Sequence, residues 1–155
     1  MDKAAVEPKT PLVPNVRQAV PFFIVSNIEK SVGFYIDGLG FEMTTKWVPE
    51  GKLRWCWLQR GGGALMLQEF RDDGGHPWRP KGKVGEGVSI YFICDDALAI
   101  YREMKGRDLA PSRPFVGNGM WVTSLSDPDG YEIFFESPTD APEETEFSEH
   151  PEQVP

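Results

Sequence analysis

Two pairs of chemically capable side chains recur at strand-like spacing in this sequence. Glu132 and Glu136 lie four residues apart, and Trp55 and Trp57 lie two apart, so each pair would share one face of a strand. A carboxylate pair in an apolar groove can act as a general base or hold a cation. Paired indoles can stack on a planar molecule or hold a cationic group. The alternative is that each tryptophan is simply a core residue of a curved sheet.

Other catalytic and redox residues are few. The two histidines, His76 in a Gly/Pro-rich stretch and His150 in an acidic one, are not placed to assemble a Ser-His-Asp set. The glycine run at 61–63 lacks the Lys-Ser/Thr pair of a phosphate-binding loop, so we expect a hairpin there. Cys56 and Cys94 lie in apolar runs, and we expect buried thiols in a reducing cytoplasm.

The elements that must position these residues come from an internal repeat. Residues 23–27 are echoed by residues 92–96 at an offset of 69, and residues 65–68 by residues 133–136 at an offset of 68. Neither copy could bury both faces of its own sheet, so the two halves are expected to pack together.

Each copy is predicted to form a strand, a helix and further strands. Asn27 and Asp96 can cap the two helices by accepting a bond from a free backbone N–H. Residues 60–63 and 127–130 are strong hairpin signals. The predicted helices cover residues 28–36 and 97–105, and the predicted strands cover 53–59 and 64–70 in the first copy and 120–125 and 131–136 in the second. Residues 41–47 and 107–116 are expected to supply the remaining strand of each copy or its connection. Residues 74–87 are predicted to link the copies.

The acidic charge is concentrated at one end of the chain. Residues 139–155 carry −6 of the net charge of −8 and contain no Lys or Arg. We therefore expect an acidic, disordered tail over 139–155. The absence of a basic stripe argues against nucleic acid as a partner. No apolar run approaches the roughly 20 residues that cross a bilayer, and no signal peptide is evident, so we expect a cytoplasmic protein without a membrane partner.

Two stretches of this sequence resemble the signatures of a known family. Residues 20–31 (VPFFIVSNIEKS), with the Phe-Tyr at 34–35 and the Leu-Gly-Phe at 39–41, resemble the opening signature of the glyoxalase/bleomycin-resistance/dioxygenase (vicinal-oxygen-chelate) superfamily. Residues 127–131 (DPDGY) resemble its closing signature. The resemblance implies an α+β fold with two tandem βαβββ modules forming a curved mixed sheet around a groove, within a homodimer.

The resemblance also sets the predicted domain organisation. We expect an N-terminal arm over residues 1–17, a single domain of the superfamily over 18–138, and the acidic tail over 139–155. The domain would consist of two modules, at about 18–73 and 87–138.

In the enzymes of this superfamily, the resemblance implies four metal ligands, two from each module. Those four positions fall on Val20, Met66, Ser89 and Phe134. Valine and phenylalanine have no donor atom, a thioether is weak and soft, and serine is a poor neutral ligand for a divalent ion. We therefore predict no metal, no cofactor and no catalytic residue, as in the bleomycin-resistance proteins.

A shift of two residues in the alignment leaves one alternative open. Gln18, Gln68 and Glu136 would then form an atypical, oxygen-rich ligand set. In that case the chain would be a metal-dependent lyase, isomerase or dioxygenase of the same superfamily.

Strand alternation assigns the groove-facing residues once the frame of the superfamily is adopted. The predicted ligand-binding residues are Phe22, Trp55, Trp57, Met66, Gln68, Tyr91, Glu132, Phe134 and Glu136. A groove of aromatic and aliphatic side chains with a few polar groups suits a planar, partly polar molecule. We predict a homodimeric protein that binds or sequesters a small aromatic molecule, with a cationic group as the resemblance implies.

Overall fold

The computed structural model describes residues 13–70 and 81–150. The elements in chain order are β1 (Phe22–Val25), α1 (Ile28–Val32) continued by a π-helical turn (Gly33–Gly38), β2 (Glu42–Trp47), a 3-10 turn (Pro49–Gly51), β3 (Trp55–Arg60), β4 (Gly63–Glu69), β5 (Ser89–Ile93), α2 (Ala97–Gly106), β6 (Phe115–Gly117), β7 (Met120–Ser126) and β8 (Glu132–Pro138). The strands form two four-stranded sheets, ordered β1-β4-β3-β2 and β5-β8-β7-β6. The predicted α+β class with two βαβββ modules is confirmed, and each module has its own sheet.

Both helices begin where the capping residues predict. Asn27 Oδ1 accepts a hydrogen bond from Lys30 N–H at 3.0 Å, and Asp96 Oδ1 accepts one from Ala99 N–H at 2.9 Å. Each carboxylate or amide oxygen satisfies a backbone donor that the first helical turn leaves without a partner. No helix within residues 13–70 and 81–150 is long and apolar enough to span a membrane.

The strand registers reproduce the repeat seen in the sequence. The first strand of each module runs parallel to the last strand of that module. Phe22 of β1 lies opposite Met66 of β4, and Tyr91 of β5 lies opposite Phe134 of β8. The two pairs are separated by the same offsets of 69 and 68 residues that relate the copies. The modules are therefore equivalent residue by residue along these strands.

One hydrophobic core joins the two modules. Alternate residues of β4 and β8, predicted to pack under the helices, are fully or almost fully buried: Leu65, Leu67, Ile133 and Phe135. The ring of Phe23 stacks on that of Tyr131 with centroids 4.0 Å apart, and the rings of Phe41 and Phe92 lie 5.5 Å apart. The sides of the sheets that carry the helices thus face this shared core.

The hairpin between β7 and β8 fixes the second module against the first. The buried Asp127 carboxylate accepts hydrogen bonds from Tyr35 Oη at 2.8 Å, Asp129 N–H at 2.9 Å and Tyr131 N–H at 3.0 Å. Asp129 in turn accepts a bond from Ser26 Oγ at 2.6 Å. The DPDGY signature therefore acts here as a structural junction between the modules.

Residues 139–150 do not follow the disordered path that their acidity predicts. This segment runs back along the edge of the second sheet. The backbone of Glu146 forms an isolated antiparallel β-bridge with Phe115 of β6, and Phe147 N–H donates to Pro114 O at 2.8 Å. Both carboxylate oxygens of Glu143 accept bonds from the backbone of Asn118 and Gly119. Backbone pairing and aromatic packing outweigh the solvation of its carboxylates. His76, most of the predicted arm and the last residues of the tail lie outside the described part of the chain.

Candidate ligand-binding site

The first sheet turns a row of apolar and aromatic side chains away from the core, and we call this the first sheet face. Phe22, Met66 and Trp57 are directly opposite one another on neighbouring strands, as are Gln68 and Trp55. Directly opposite residues of adjacent strands project on the same side. All five predicted ligand-binding residues of the first module therefore lie together.

The second sheet presents an equivalent surface, the second sheet face. Tyr91 stacks on Phe134 with ring centroids 4.3 Å apart and an interplanar angle of 10°. Ile93 and Glu136 are opposite one another in the next row, and Ser89 and Glu132 in the previous one. The four predicted residues of the second module thus also share one face. Ser124, which lies opposite Phe134, occupies the position that Trp57 occupies opposite Met66 in the first module. The second sheet face therefore has a serine where the first has an indole.

The polar groups of the two faces differ in how far they are already engaged. Trp57 Nε1 donates to Gln59 Oε1 at 3.1 Å, and Ser126 Oγ donates to Glu132. By contrast, neither the Glu136 carboxylate nor the Gln68 amide has a hydrogen-bond partner among residues 13–70 and 81–150. A half-buried carboxylate gains from a compensating charge or donor, and none of the described residues supplies one to Glu136.

The structure does not bring the two faces together within one chain. The modules contact each other through the opposite, buried sides of their sheets, and the sheets share no hydrogen-bonded strand pair within the described ranges. Large apolar side chains consequently remain exposed on both faces: Phe22 at 40%, Tyr91 at 51% and Ile93 at 65%. Exposed apolar surface of this kind is characteristic of a binding or association surface.

The donor set at the four metal positions of the superfamily does not fit a divalent ion. Met66 and Phe134 pack among apolar neighbours on their faces, Ser89 opens β5, and Val20 precedes β1. Within the described ranges, no group of three or more His, Cys, Asp or Glu residues could hold a metal. The alternative set is divided, since Gln68 lies on the first sheet face and Glu136 on the second.

Two residues outside the predicted ligand-binding set extend these faces. Trp47 pairs with Trp55 across β2 and β3 and adds an indole to the first face, and Ile93 extends the second. An irregularity between Met43 and Thr45 interrupts β2, so alternation counted from Phe41 could not place Trp47. Both cysteines are free, with Cys56 buried and Cys94 half-buried.

Solved structures with the same architecture include proteins of several activities. An antibiotic binding protein, TnmS3 from Streptomyces sp. CB03234, is 22% identical with a TM-score of 0.61 over 81% of this chain and 100% of its own. A glyoxalase/bleomycin resistance protein from the same organism is 22% identical, with a TM-score of 0.59 over 77% and 98%. Lactoylglutathione lyase from Agrobacterium tumefaciens is 20% identical, with a TM-score of 0.60 over 81% and 96%. At these identities the likeness establishes the fold alone.

The family itself is shown by sequence. No curated protein sequence matches this chain. The model of one family, however, matches residues 17–135, which span both modules and the junction between them. This chain therefore belongs to the Glyoxalase/Bleomycin resistance protein/Dioxygenase superfamily.

Proposed function

We propose that this protein is a metal-free binding protein, nearest in type to the bleomycin-resistance proteins, that sequesters a small aromatic molecule with a cationic group. The observation that carries the proposal is the second sheet face, where a half-exposed Tyr91 stacked on Phe134 lies beside the Glu136 carboxylate. A planar ligand can stack on the exposed aromatic surface while the carboxylate balances its charge. The fold shared with an antibiotic binding protein supports this class of function.

A homodimer would complete the groove. In one chain the two faces are apart and expose Phe22, Tyr91 and Ile93, whereas a first face and a second face from different chains could enclose a ligand between them. Such an arrangement buries apolar surface and removes water from around Glu136, which strengthens its attraction for a cation. Sequestration needs no chemical step, only enough affinity to lower the free ligand concentration. The free thiols fit the reducing cytoplasm in which we place the protein.

The direct test is a titration of chelator-treated protein with proflavine, a planar aromatic cation, followed by quenching of tryptophan fluorescence. Acridine, its uncharged parent, is the matched control ligand. We expect saturable binding of proflavine and weaker binding of acridine. Glu136→Gln should weaken proflavine binding by about 1.5- to 5-fold, the range expected for losing an ion pair worth roughly 0.2–1 kcal/mol, and should leave acridine binding nearly unchanged.

Three further variants locate the site. Trp57→Leu and Tyr91→Ala should each weaken binding of both ligands because they remove stacking surface. Glu29→Gln, an exposed change on α1, should leave both affinities unchanged. If Trp57→Leu and Tyr91→Ala folded normally and bound proflavine as tightly as the unaltered protein, the sheet faces would not be the ligand site.

The metal-dependent alternative is tested on the same preparation. Stripped protein is titrated in turn with Mn²⁺, Fe²⁺, Ni²⁺ and Zn²⁺ while the melting temperature is recorded, and the metal content of untreated protein is measured. We expect no specific stabilisation. A metal bound at about one per chain that raises the melting temperature, and is lost in Glu136→Gln, would instead indicate an enzyme built on Gln18, Gln68 and Glu136.

A further inference from the structure

A second candidate binding region lies at the junction of the modules, beyond the edge of the second sheet. It is a cavity of about 800 Å³ between the β3–β4 hairpin, β5 and the start of α2. Its volume is within the range of roughly 300–1,000 Å³ typical of small-molecule pockets. Of the two sheet faces, only Tyr91 and Ile93 contribute to its lining. We call it the junction cavity.

The inner wall of the junction cavity is aromatic. Phe92 lies between Phe41 and Phe135, with ring centroids 5.5 and 5.6 Å away. Ile100 of α2 adds an aliphatic side chain. Phe41 and Phe135 are almost fully buried, so their positions are fixed by the core. These walls would favour a compact ring with little polar surface.

The mouth of the cavity carries an excess of negative charge. Arg60 lines it, but its guanidinium already donates to Leu39 O at 2.6 Å and to Glu103 Oε2 at 2.9 Å. Asp96 uses one carboxylate oxygen to cap α2. Asp95 lines the mouth, is exposed, and has no hydrogen-bond or ion-pair partner in the described part of the chain. The available charge is therefore a carboxylate, and it would attract a cation.

The hairpin at the mouth is built from glycines for two different reasons. Gly61 has a φ of +53°, and a Cβ at Gly63 would lie 2.9 Å from the ring of Phe92, so both positions require glycine. Gly62 does not have a positive φ, and a Cβ added there would meet no atom within 4 Å. The backbone does not require glycine at position 62, which lines the cavity with open space around it.

We propose that the junction cavity is a second ligand site, distinct from the groove between the sheet faces, and that it binds a small aromatic amine. The ring would lie against Phe41, Phe92 and Phe135, and the ammonium group would point to Asp95 at the mouth. The cavity is formed by one chain, so binding there would not require a dimer.

Calorimetric titration of the full chain with phenylethylamine tests this site, with phenylpropionate as the matched anion. We expect saturable binding of the amine and at least about threefold weaker binding of the anion, since an exposed charge pair contributes roughly 0.2–1 kcal/mol. Gly62→Phe should narrow the mouth and weaken amine binding by more than about threefold, while Gly106→Phe, which also has open space and an ordinary φ but lies outside the cavity, should not. Asp95→Asn should reduce the preference for the amine, with Asp140→Asn as its control.

The two proposed sites can be tested independently of each other. Trp57→Leu alters only the first sheet face and should leave phenylethylamine binding unchanged, whereas Gly62→Phe should leave proflavine binding unchanged. Absence of saturable amine binding at millimolar concentration, or binding that Gly62→Phe and Asp95→Asn do not affect, would overturn the proposal. Amine binding lost in Trp57→Leu but kept in Gly62→Phe would assign the amine to the sheet faces and also overturn it.

Cys94 provides a second measurement, because it lines the junction cavity while Cys56 is buried elsewhere in the core. Its thiolate attacks a methanethiosulfonate reagent, forming a mixed disulfide and releasing methanesulfinate. Burial raises the pKa of the Cys94 thiol, so the reaction is run at alkaline pH. We expect the trimethylammonioethyl reagent, which keeps its positive charge at alkaline pH, to react faster than the sulfonatoethyl reagent relative to free cysteine, and phenylethylamine to slow the reaction. If the two reagents reacted with Cys94 at equal rates relative to free cysteine, and phenylethylamine did not slow either reaction, the junction cavity would not be the amine site.

Discussion

Glu69 joins three parts of the first module through one side chain. It is the last residue of β4 and is mostly buried, and its carboxylate accepts a bond from Ile28 N–H, at the start of α1, at 3.0 Å. Lys52 and Arg54 lie 2.9 and 3.3 Å from the same carboxylate. Burial alone would raise the pKa of Glu69, but the Ile28 N–H bond and the two cations outweigh it and lower the pKa.

The lowered pKa makes the contribution of Glu69 dependent on pH. A carboxyl group with a depressed pKa in the folded state stabilises the protein above its unfolded pKa of about 4.3, and this is lost as the pH falls through the folded-state pKa. We expect Glu69→Gln to lower the free energy of unfolding by about 1–2 kcal/mol at neutral pH and by progressively less in acid. Urea unfolding across this range measures it, with Glu29→Gln as control. If the loss in the free energy of unfolding caused by Glu69→Gln did not change with pH, the negative charge of Glu69 would not contribute to stability.

Residue-level assignments from sequence were reliable where the signal is local. Asn27 and Asp96 cap their helices because a capping bond spans only three residues, and strand alternation correctly divided Leu65 and Leu67 from Met66 and Gln68. Hydrogen-bond partners that are distant in sequence could not be predicted from local patterns. No local pattern predicts that Ile28 N–H binds Glu69, or that the Glu136 carboxylate is left without a partner in the described part of the chain.

At the scale of elements, the segment 139–150 shows where composition misleads. Its acidity predicts a solvated chain, yet the ring of Phe147 lies edge-on to Tyr101 and Trp121, with centroids 5.9 and 6.1 Å away, and under the guanidinium of Arg102 at 5.2 Å. Two ion pairs, Arg113–Glu146 and Arg102–Glu149, also reach it. The partners of these side chains lie in α2 and β7 or just before β6, so the sequence of the segment alone could not reveal them.

The aromatic contacts should outweigh the ion pairs in holding this segment. The side chains of both ion pairs are more than half exposed, and such pairs contribute about 0–1 kcal/mol. Phe147 is half-buried and makes three ring contacts worth about 0.5–1.5 kcal/mol each. We therefore expect Phe147→Ala to destabilise the protein by about 1–3 kcal/mol and to speed amide exchange in β6, and Glu146→Gln to cost less than about 1 kcal/mol. The reverse order would mean that charge holds the segment.

The whole molecule depends on the junction of its two modules. The Tyr35–Asp127 bond is buried between them, and burial raises the pKa of Asp127 despite the bonds it accepts from Tyr35 and two backbone N–H groups. Because the folded-state pKa of Asp127 is raised, its contribution to the free energy of unfolding decreases as the pH rises through that pKa. The reason is that a buried carboxylate charge is costly. Tyr35 offsets part of that cost.

Removing the hydroxyl of Tyr35 tests the junction. Tyr35→Phe leaves an oxygen of Asp127 without its donor, so we expect a loss of about 1–3 kcal/mol in the free energy of unfolding. The loss should be larger above the folded-state pKa of Asp127, where its carboxylate is ionised, than below it. Urea unfolding over a series of pH values measures it. Tyr101→Phe, whose hydroxyl makes no hydrogen bond within the described ranges, is the matched control; equal effects of the two changes would contradict the role given to Asp127.

The sequence repeat predicted the plan of each module, but not how the modules sit relative to each other. Alternation determines which side of a strand a residue takes, and it correctly grouped Phe22 with Met66 and Tyr91 with Phe134. It does not determine whether two such faces meet within a chain. The structure places the core between the modules, and the described residues leave Phe22, Tyr91 and Ile93 exposed on the two faces. We therefore expect completion of the groove to depend on association of two chains.

Association is tested at Ile93, an exposed residue of the second sheet face. A lysine there would lie opposite Glu136, so a favourable cross-strand pair should preserve the folded single chain. If the face is covered by a second copy, however, burial of an ammonium group should cost several kcal/mol. We expect the unaltered protein to sediment as a dimer and Ile93→Lys as a monomer with weakened proflavine binding. Val48→Lys, an exposed apolar position after β2, should remain dimeric. A monomer at every concentration in the unaltered protein would require the ligand to bind one open sheet face.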